Sequence, residues 1–288
     1  MSASTLQKSR WVYFASYVLA AALGVLTLLF TPGSPFTQAV AAGAAATLTL
    51  YACSIVFKNS GFYDCYWSAT PVVYAGAWLF AYDAWSQPRA LLSALVTAAW
   101  GIRLTTNWAT HWEGLTHEDW RYVDLRAKTG GAYAVASFFA LHVLPFTLVT
   151  LGTWPLHEAI ASSAPLGPLD FAGAVIGVTA VLLETFSDIQ LHRFRRENRD
   201  VKAFLQAGLW AYSRHPNYCG EAMYWWSVVM FALSVRLSPL MALGALGVSA
   251  MILFASIPMA EKRALAKRPH FAEYQRRVSR LVPWFPKA

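Results

Sequence analysis

Trp11-Val-Tyr-Phe-Ala-Ser-Tyr-Val-Leu-Ala-Ala-Ala-Leu-Gly-Val-Leu-Thr-Leu-Leu-Phe30 runs uncharged from end to end. As a helix it rises about 30 Å, the thickness of a bilayer hydrocarbon core. It is too long for the apolar region of a secretory leader and has no convincing cleavage site after it, so it reads as a retained membrane span. Seven further apolar runs, near 36–57, 66–83, 89–110, 133–152, 169–191, 220–236 and 240–258, repeat the pattern. Turn chemistry separates them: Thr31-Pro-Gly-Ser-Pro35, Ser86-Gln-Pro88 and the stretch Ser162 to Pro168. Nothing alternates with period two, and in lipid only helices or closed barrels satisfy the backbone. The expected fold is an all-α polytopic bundle of about eight spans, within a range of seven to ten.

Composition agrees. The chain is 57% hydrophobic and 13% charged, with 13 Trp, 13 Tyr and 17 Phe, whereas a soluble domain carries about 25% charge. Aromatic rings of this kind favour the headgroup level. The net charge of +8 would suit nucleic acid only if it formed a basic face on a soluble domain. It is distributed otherwise. Lys8 and Arg10 precede the first run, Lys58 follows the second, and Arg121, Arg126 and Lys128 follow the fourth. Arg193, Arg195, Arg196, Arg199, Lys202 and Arg214 follow the sixth, and the tail from Lys262 to Lys287 is basic again. The opposite side holds only Arg89 and Arg236. By the positive-inside bias both termini are predicted cytoplasmic and the span count even. If the source is bacterial, the membrane is the plasma membrane. Cys53, Cys65 and Cys219 form no CxxC pair, so neither a disulfide framework nor a zinc site is indicated. No internal repeat or low-complexity linker divides the chain, and one membrane domain over 1–288 suffices.

Three stretches on the cytoplasmic side gather the polar residues. His111 to Arg126, with Asp119, Arg121, Tyr122 and Arg126, mixes charges and aromatics at a membrane boundary. It reads either as a solvated, salt-bridged loop or as a surface for phosphates and a flat ring. In the second, Glu184 and Asp188 stand four apart on one helical face, followed by Gln190, His192 and the Arg193-Phe-Arg-Arg196 cluster. Carboxylates at membrane depth are costly and usually face a polar cavity. They are either structural partners of bases on another helix or acceptors for a nucleotide's hydroxyls and amides, with arginine forks for phosphate outside. The third is Gly208-Leu-Trp-Ala-Tyr-Ser-Arg-His-Pro-Asn-Tyr-Cys-Gly-Glu221. Pro216 should break the preceding geometry and Gly220 permits close approach, while Glu221 enters the next span. A simple turn would not need Arg, His, Asn, two Tyr and Glu together.

The run Trp210 to Glu221 resembles the signature of the C-terminal domain of the 3-oxo-5α-steroid 4-dehydrogenase (steroid 5α-reductase) superfamily. The chain is similar more closely to its bacterial DUF1295 branch, through Glu118 to Arg126, Glu184 to Gln190 and the terminal Tyr274 to Pro283. The resemblance covers roughly 60 to 286. It implies a helical bundle that binds NADPH from the cytosol and transfers hydride to a conjugated carbon–carbon double bond of a lipid such as a 3-oxo-Δ4 steroid. By motif position it places Glu184 and Asp188 near adenosine and ribose and Arg195 on phosphate. Tyr212, Asn217 and Glu221 line the nicotinamide half, with Arg214, His215 and Tyr218 in the same run, and Glu261 and Arg263 fall near the dinucleotide. It assigns 105–288 to the cofactor and 1–104 to the lipid pocket. The Glu and Tyr that polarise the substrate ketone in characterised steroid reductases have no motif match here. By region, Tyr66 and Asp64 are the catalytic candidates, with Tyr63 and Tyr74 beside them.

Hydride addition to an enone builds charge on the carbonyl oxygen, which calls for a donor such as a buried Tyr linked to a carboxylate. The expected partners are thus a lipid-soluble small molecule, entering from the bilayer, and membrane lipids, with no nucleic acid. Two alternatives stand beside the reductase. One is an S-adenosylmethionine-dependent methyltransferase of the isoprenylcysteine or phospholipid type, which shares an Arg-His-Pro-x-Tyr turn. The other is a non-enzymatic lipid-binding membrane protein.

Overall fold

Where water is excluded, each backbone amide must be paired within its own segment, and the apolar runs accordingly become helices. The computed structural model describes residues 3–198, 200, 202–268 and 270–287. Arg199, one of the basic residues after the sixth run, lies outside them. The helices are α1 (Ala3–Phe30), α2 (Pro35–Val56), α3 (Tyr66–Ala81), α4 (Pro88–His111), α5 (Trp120–Thr129), α6 (Tyr133–Ser137), α7 (Leu144–Ile160), α8 (Pro168–Glu197), α9 (Pro216–Leu233), α10 (Leu243–Met251), α11 (Ile257–Lys267) and α12 (Phe271–Arg277). Among the described residues there is no strand, only a single parallel bridge between Ser213 and Ser279. Each of the eight apolar runs coincides with a helical stretch. Among the described residues five stretches are long and apolar enough to cross a bilayer: Ser4–Phe30, Pro35–Val56, Trp120–Ile160, Pro168–Glu197 and Pro239–Lys267. The chain is therefore an integral membrane protein.

Proline opens α2, α4, α8 and α9 at their first positions, where its missing N–H costs nothing and its fixed φ suits the first turn. This moves one expected boundary. The span expected from 220 begins at Pro216, so Asn217, Tyr218 and Cys219 sit on the helix rather than in the turn before it. Likewise part of the expected loop 111–126 is helical. Asp119 caps α5 by accepting from the Arg121 amide at 2.8 Å, and Gly130, at φ 51°, ends it.

Residues 1–163 and 164–288 form two compact units. This division by packing falls well beyond the 104/105 division by expected role. In the first unit α1 packs on α2 and α3 on α4, with α7 against α2, α3 and α4. Gly101 lets α4 approach α3 closely: a Cβ there would lie 2.6 Å from the Ser68 carbonyl oxygen.

In the second unit the main interface joins α8 to α9. The buried positions of α8 are Asp170, Gly173, Gly177, Ala180, Glu184 and Ser187, a stripe of small and polar residues at alternating spacings of three and four. Helices in lipid associate through such stripes, because small residues let backbones meet. Gly173 faces the Ser227 carbonyl, where a Cβ would lie 3.0 Å from the oxygen. Two long helical stretches also contain a π turn, Phe138–Val143 between α6 and α7 and Ile252–Ser256 between α10 and α11. The first encloses the buried His142, whose Nε2 meets the Ser54 hydroxyl at 3.2 Å.

Candidate functional site

In the first unit the segment joining α2 to α3 is bound to the segment around α5. Asn59 donates to the carbonyls of Leu115 (2.8 Å) and His117 (2.9 Å) and accepts from the Gly61 amide at 2.8 Å. Glu118 accepts from the Ser60 amide at 2.7 Å and takes Arg126 on both oxygens at 2.9 and 3.0 Å. The Arg126 guanidinium also lies 3.9 Å from the Tyr133 ring centroid, a cation–π contact. Arg121 closes a two-bond fork on Asp119 at 2.8 and 3.1 Å. Burial works to raise the Asp119 carboxyl, but the Arg121 bonds and charge outweigh it and hold the group below its usual range. The two arginines expected to meet phosphate are thus engaged by neighbouring carboxylates.

The most unusual contact here is between Tyr122 and Asp64: the phenol donates to Asp64 Oδ1 in a short hydrogen bond. Burial pushes the Asp64 carboxyl up to about 7, against the lowering effects of Tyr122 and Arg121. Tyr122, expected on the cofactor, is therefore joined to Asp64, expected in catalysis. Tyr66 turns elsewhere. Its hydroxyl donates to the Gly43 carbonyl at 2.9 Å and its ring lies 4.6 Å from that of Tyr63, which shares a hydroxyl bond with Thr47 at 3.0 Å. Tyr74 brings its hydroxyl to the same place. A Cβ at residue 43 would sit 1.9 Å from the Tyr74 oxygen, so any larger residue there would have to displace that hydroxyl.

The second unit holds a dense polar hub. Glu261 on α11 accepts from Arg214 Nε at 2.7 Å and Gln275 Nε2 at 2.8 Å, and lies 3.2 Å from His215 Nε2. Arg214 also donates to the carbonyls of Gln275 and Val278. Its five fixed donors explain why a single side chain can tie a turn, a helix and a tail together. Tyr218 stacks on His215, ring centroids 5.5 Å apart and planes within 9°.

The same turn is fixed to α8. Trp210 Nε1 donates to the Ser187 carbonyl at 3.1 Å, and the Leu209 amide to Gln190 Oε1 at 2.9 Å. Gly208, at φ 62°, packs on the Gln190 amide. Asn217 Nδ2 reaches Asp188 Oδ1 at 3.5 Å, and Glu221 accepts from Trp225 Nε1 at 2.9 Å. Glu184, nearly inaccessible, lies against Gly220. Arg195 stands exposed at the end of α8 within electrostatic reach of Asp188 and Arg268.

Of the residues singled out from sequence, Glu184, Asp188, Arg214, His215, Asn217, Tyr218, Glu221 and Glu261 converge in this unit. Tyr212 instead faces outward, edge-on to Phe285, and Arg263 is half-buried on α11. Sequence reasoning missed Gln275, Asn59 and Ser60. Gln275 lies inside the Tyr-Gln-Arg-Arg run, where one amide in a basic helix is the only signal.

The family described as "Protein of unknown function (DUF1295)" matches residues 50–278. The uncharacterized protein C594.04c of Schizosaccharomyces pombe is 25% identical over 265 residues, covering 81% of this chain and 75% of that protein. No solved structure matches. The match spans both units, from α2 through the Arg214 hub to α12, and the chain belongs to the DUF1295 family.

Proposed function

We propose that the protein is an NADPH-dependent membrane reductase that adds hydride to a carbon–carbon double bond conjugated to a carbonyl in a steroid-like or other lipid. The observation that carries this reading is the convergence in the second unit. The Arg214–Glu261 hub braces the 208–215 turn while the acidic face of α8 meets Asn217. The donor set suits a dinucleotide. Asp188 and Glu221 offer acceptors for hydroxyls and amides, Asn217 offers both roles, and Arg195 beside Arg268 offers cations for phosphate. A bound reduced nicotinamide would supply the hydride.

Taken by itself, the first unit holds in Tyr122 and Asp64 a phenol–carboxyl pair able to hold a proton, whereas the Tyr66 hydroxyl is spent on the Gly43 carbonyl. A carboxyl raised to about 7 is partly protonated at neutral pH. In that state it can donate to the Tyr122 oxygen, leaving the phenol O–H for an oxygen that gains negative charge. The topology we propose has eight spans and both termini cytoplasmic, from the one-sided distribution of Lys and Arg. Export of a reporter fused to the C-terminus would contradict it.

Thermal unfolding in nanodiscs with NADPH, NADH or S-adenosylmethionine tests the cofactor. A ligand selective for the native state stabilises by about 2.7 kcal/mol at 100 times its Kd. NADPH is expected to stabilise, and Asp188→Asn and Asn217→Ala to weaken the effect. Stabilisation by S-adenosylmethionine alone would replace the reading with a methyltransferase, and none by any of the three would point to a lipid-binding protein.

A further inference from the structure

After α12 the chain runs from Val278 to Lys287 without helix, yet it is firmly held. Its partner is the 212–215 turn. Ser279 accepts from the Arg214 amide at 2.9 Å, Leu281 from the Ser213 hydroxyl at 2.6 Å, and the Trp284 amide donates to the Tyr212 carbonyl at 3.0 Å. Arg280 ties the segment to the last candidate span, donating to the Leu253 carbonyl at 2.7 Å. The Lys287 amide returns to the Arg277 carbonyl at 2.8 Å.

What this segment presents outward is unusual for irregular chain. Val282, Trp284 and Phe285 are 63%, 70% and 75% exposed. Tyr212 and Trp284 each meet Phe285 edge-on, at centroid distances of 6.1 and 6.4 Å. The three rings therefore form one patch, with the exposed Val282 two residues before Trp284. Around it stand Arg276, Arg277, Arg280 and Lys287, all exposed, and from Phe271 to Lys287 the only carboxylate is Glu273. A lipid-facing helix needs no such basic rim, and irregular backbone is not stable in hydrocarbon. Apolar and aromatic side chains bordered by Lys and Arg suit the level of the headgroups, where rings embed and cations meet phosphate.

We infer that residues 280–287, with Tyr212, form a membrane-surface foot that docks on an anionic leaflet of the bilayer in which the protein is embedded. The partner is the anionic lipid surface. Because the foot and the 212–215 turn share backbone hydrogen bonds, its docking also braces that turn. The inference rests on the protein being an integral membrane protein, and stands or falls separately from the reductase reading.

The test uses the full chain in nanodiscs of phosphatidylcholine, with or without a share of phosphatidylglycerol. The spectrum of Trp284 is isolated as the difference between wild type and Trp284→Phe. The expected Trp284 emission is blue-shifted, quenched by lipids brominated high on the acyl chain, and shielded from aqueous acrylamide, more strongly with phosphatidylglycerol. Hydrogen exchange of the 280–287 and 212–215 amides, which needs no variant, should slow on the same change of lipid. Replacing Arg276, Arg277 or Lys287 by Gln should weaken the preference for phosphatidylglycerol about fivefold each at low salt. Quenching by acrylamide and not by brominated lipid would overturn the inference by leaving Trp284 in water. Resistance to both quenchers would overturn it too, by placing Trp284 against protein such as a second copy. Amide exchange indifferent to lipid charge would overturn the anionic partner.

Discussion

Gly220→Ala is the most direct perturbation of the α8–α9 interface. A Cβ added at Gly220 would lie 2.4 Å from Glu184 Cγ, 2.9 Å from the Ala180 carbonyl oxygen and 3.2 Å from the Glu184 amide nitrogen. The first atom belongs to a side chain that can turn; the other two are backbone of a 30-residue helix and yield only if α8 moves. Overpacking of this kind costs about 1–3 kcal/mol. Alanine recovers up to about 1 kcal/mol of helix propensity over glycine, so the net loss should be about 1–2 kcal/mol. Gly76 supplies the control. It too lies inside a helix, but nothing stands within 4 Å of its added Cβ, so Gly76→Ala should be neutral or stabilising. Unfolding of both variants in one detergent, followed by tryptophan emission, measures the difference. Gly220→Ala as stable as Gly76→Ala would refute the close approach on which the position of Asp188 beside Asn217 depends.

Glu261→Gln should cost about 3–5 kcal/mol, because it strands the Arg214 cation, where both side chains are only 9% and 11% exposed. Glu197→Gln, at an Arg193 pair 71% and 57% exposed, should change stability by less than about 0.5 kcal/mol in the same denaturation assay. Asp64 gives a pH signature. Its native pKa of about 7 exceeds the unfolded value of about 4, so the native state binds more protons between these limits. The Asp64 contribution to stability should fall as pH rises from about 4 to about 7 and be level outside that window. The difference in melting temperature between wild type and Asp64→Asn should vary with pH in that window, and a flat difference would contradict the raised carboxyl.

The helical stretches were legible because long apolar runs without period-two alternation can satisfy their backbone in lipid only as helices, and proline and glycine mark several of the turns between them. Boundaries were less so. The start of α9 moved to Pro216 because proline suits a first helical turn as well as a break, and spacing alone does not choose between these roles. At the site, Glu184, Asp188 and the 208–221 run announced themselves as polar residues where polarity is costly. Their partners did not. Glu118 and Arg126 are eight residues apart and close on each other, while Asp64 and Tyr122 meet across 58 positions. A charge count cannot tell an arginine held by its own loop from one left for a ligand. The α8 stripe of Gly173, Gly177 and Ala180 carries a readable period, yet it is masked by apolar residues on every other face.

The π turn at Ile252–Ser256 has a consequence for how the last long helix is wired. One residue more than an α turn needs advances everything after it by about 100° around the axis. The two halves of the stretch from α10 to α11 are therefore set to different azimuths, like two cams keyed separately on one shaft. The first half packs on α9 and buries Gly244, Ala245 and Val248, and the second turns Glu261 to the Arg214 guanidinium. Loss of a single residue there, such as the outward-facing Phe254, would leave a continuous apolar helix and still aim the carboxylate of the hub away from it.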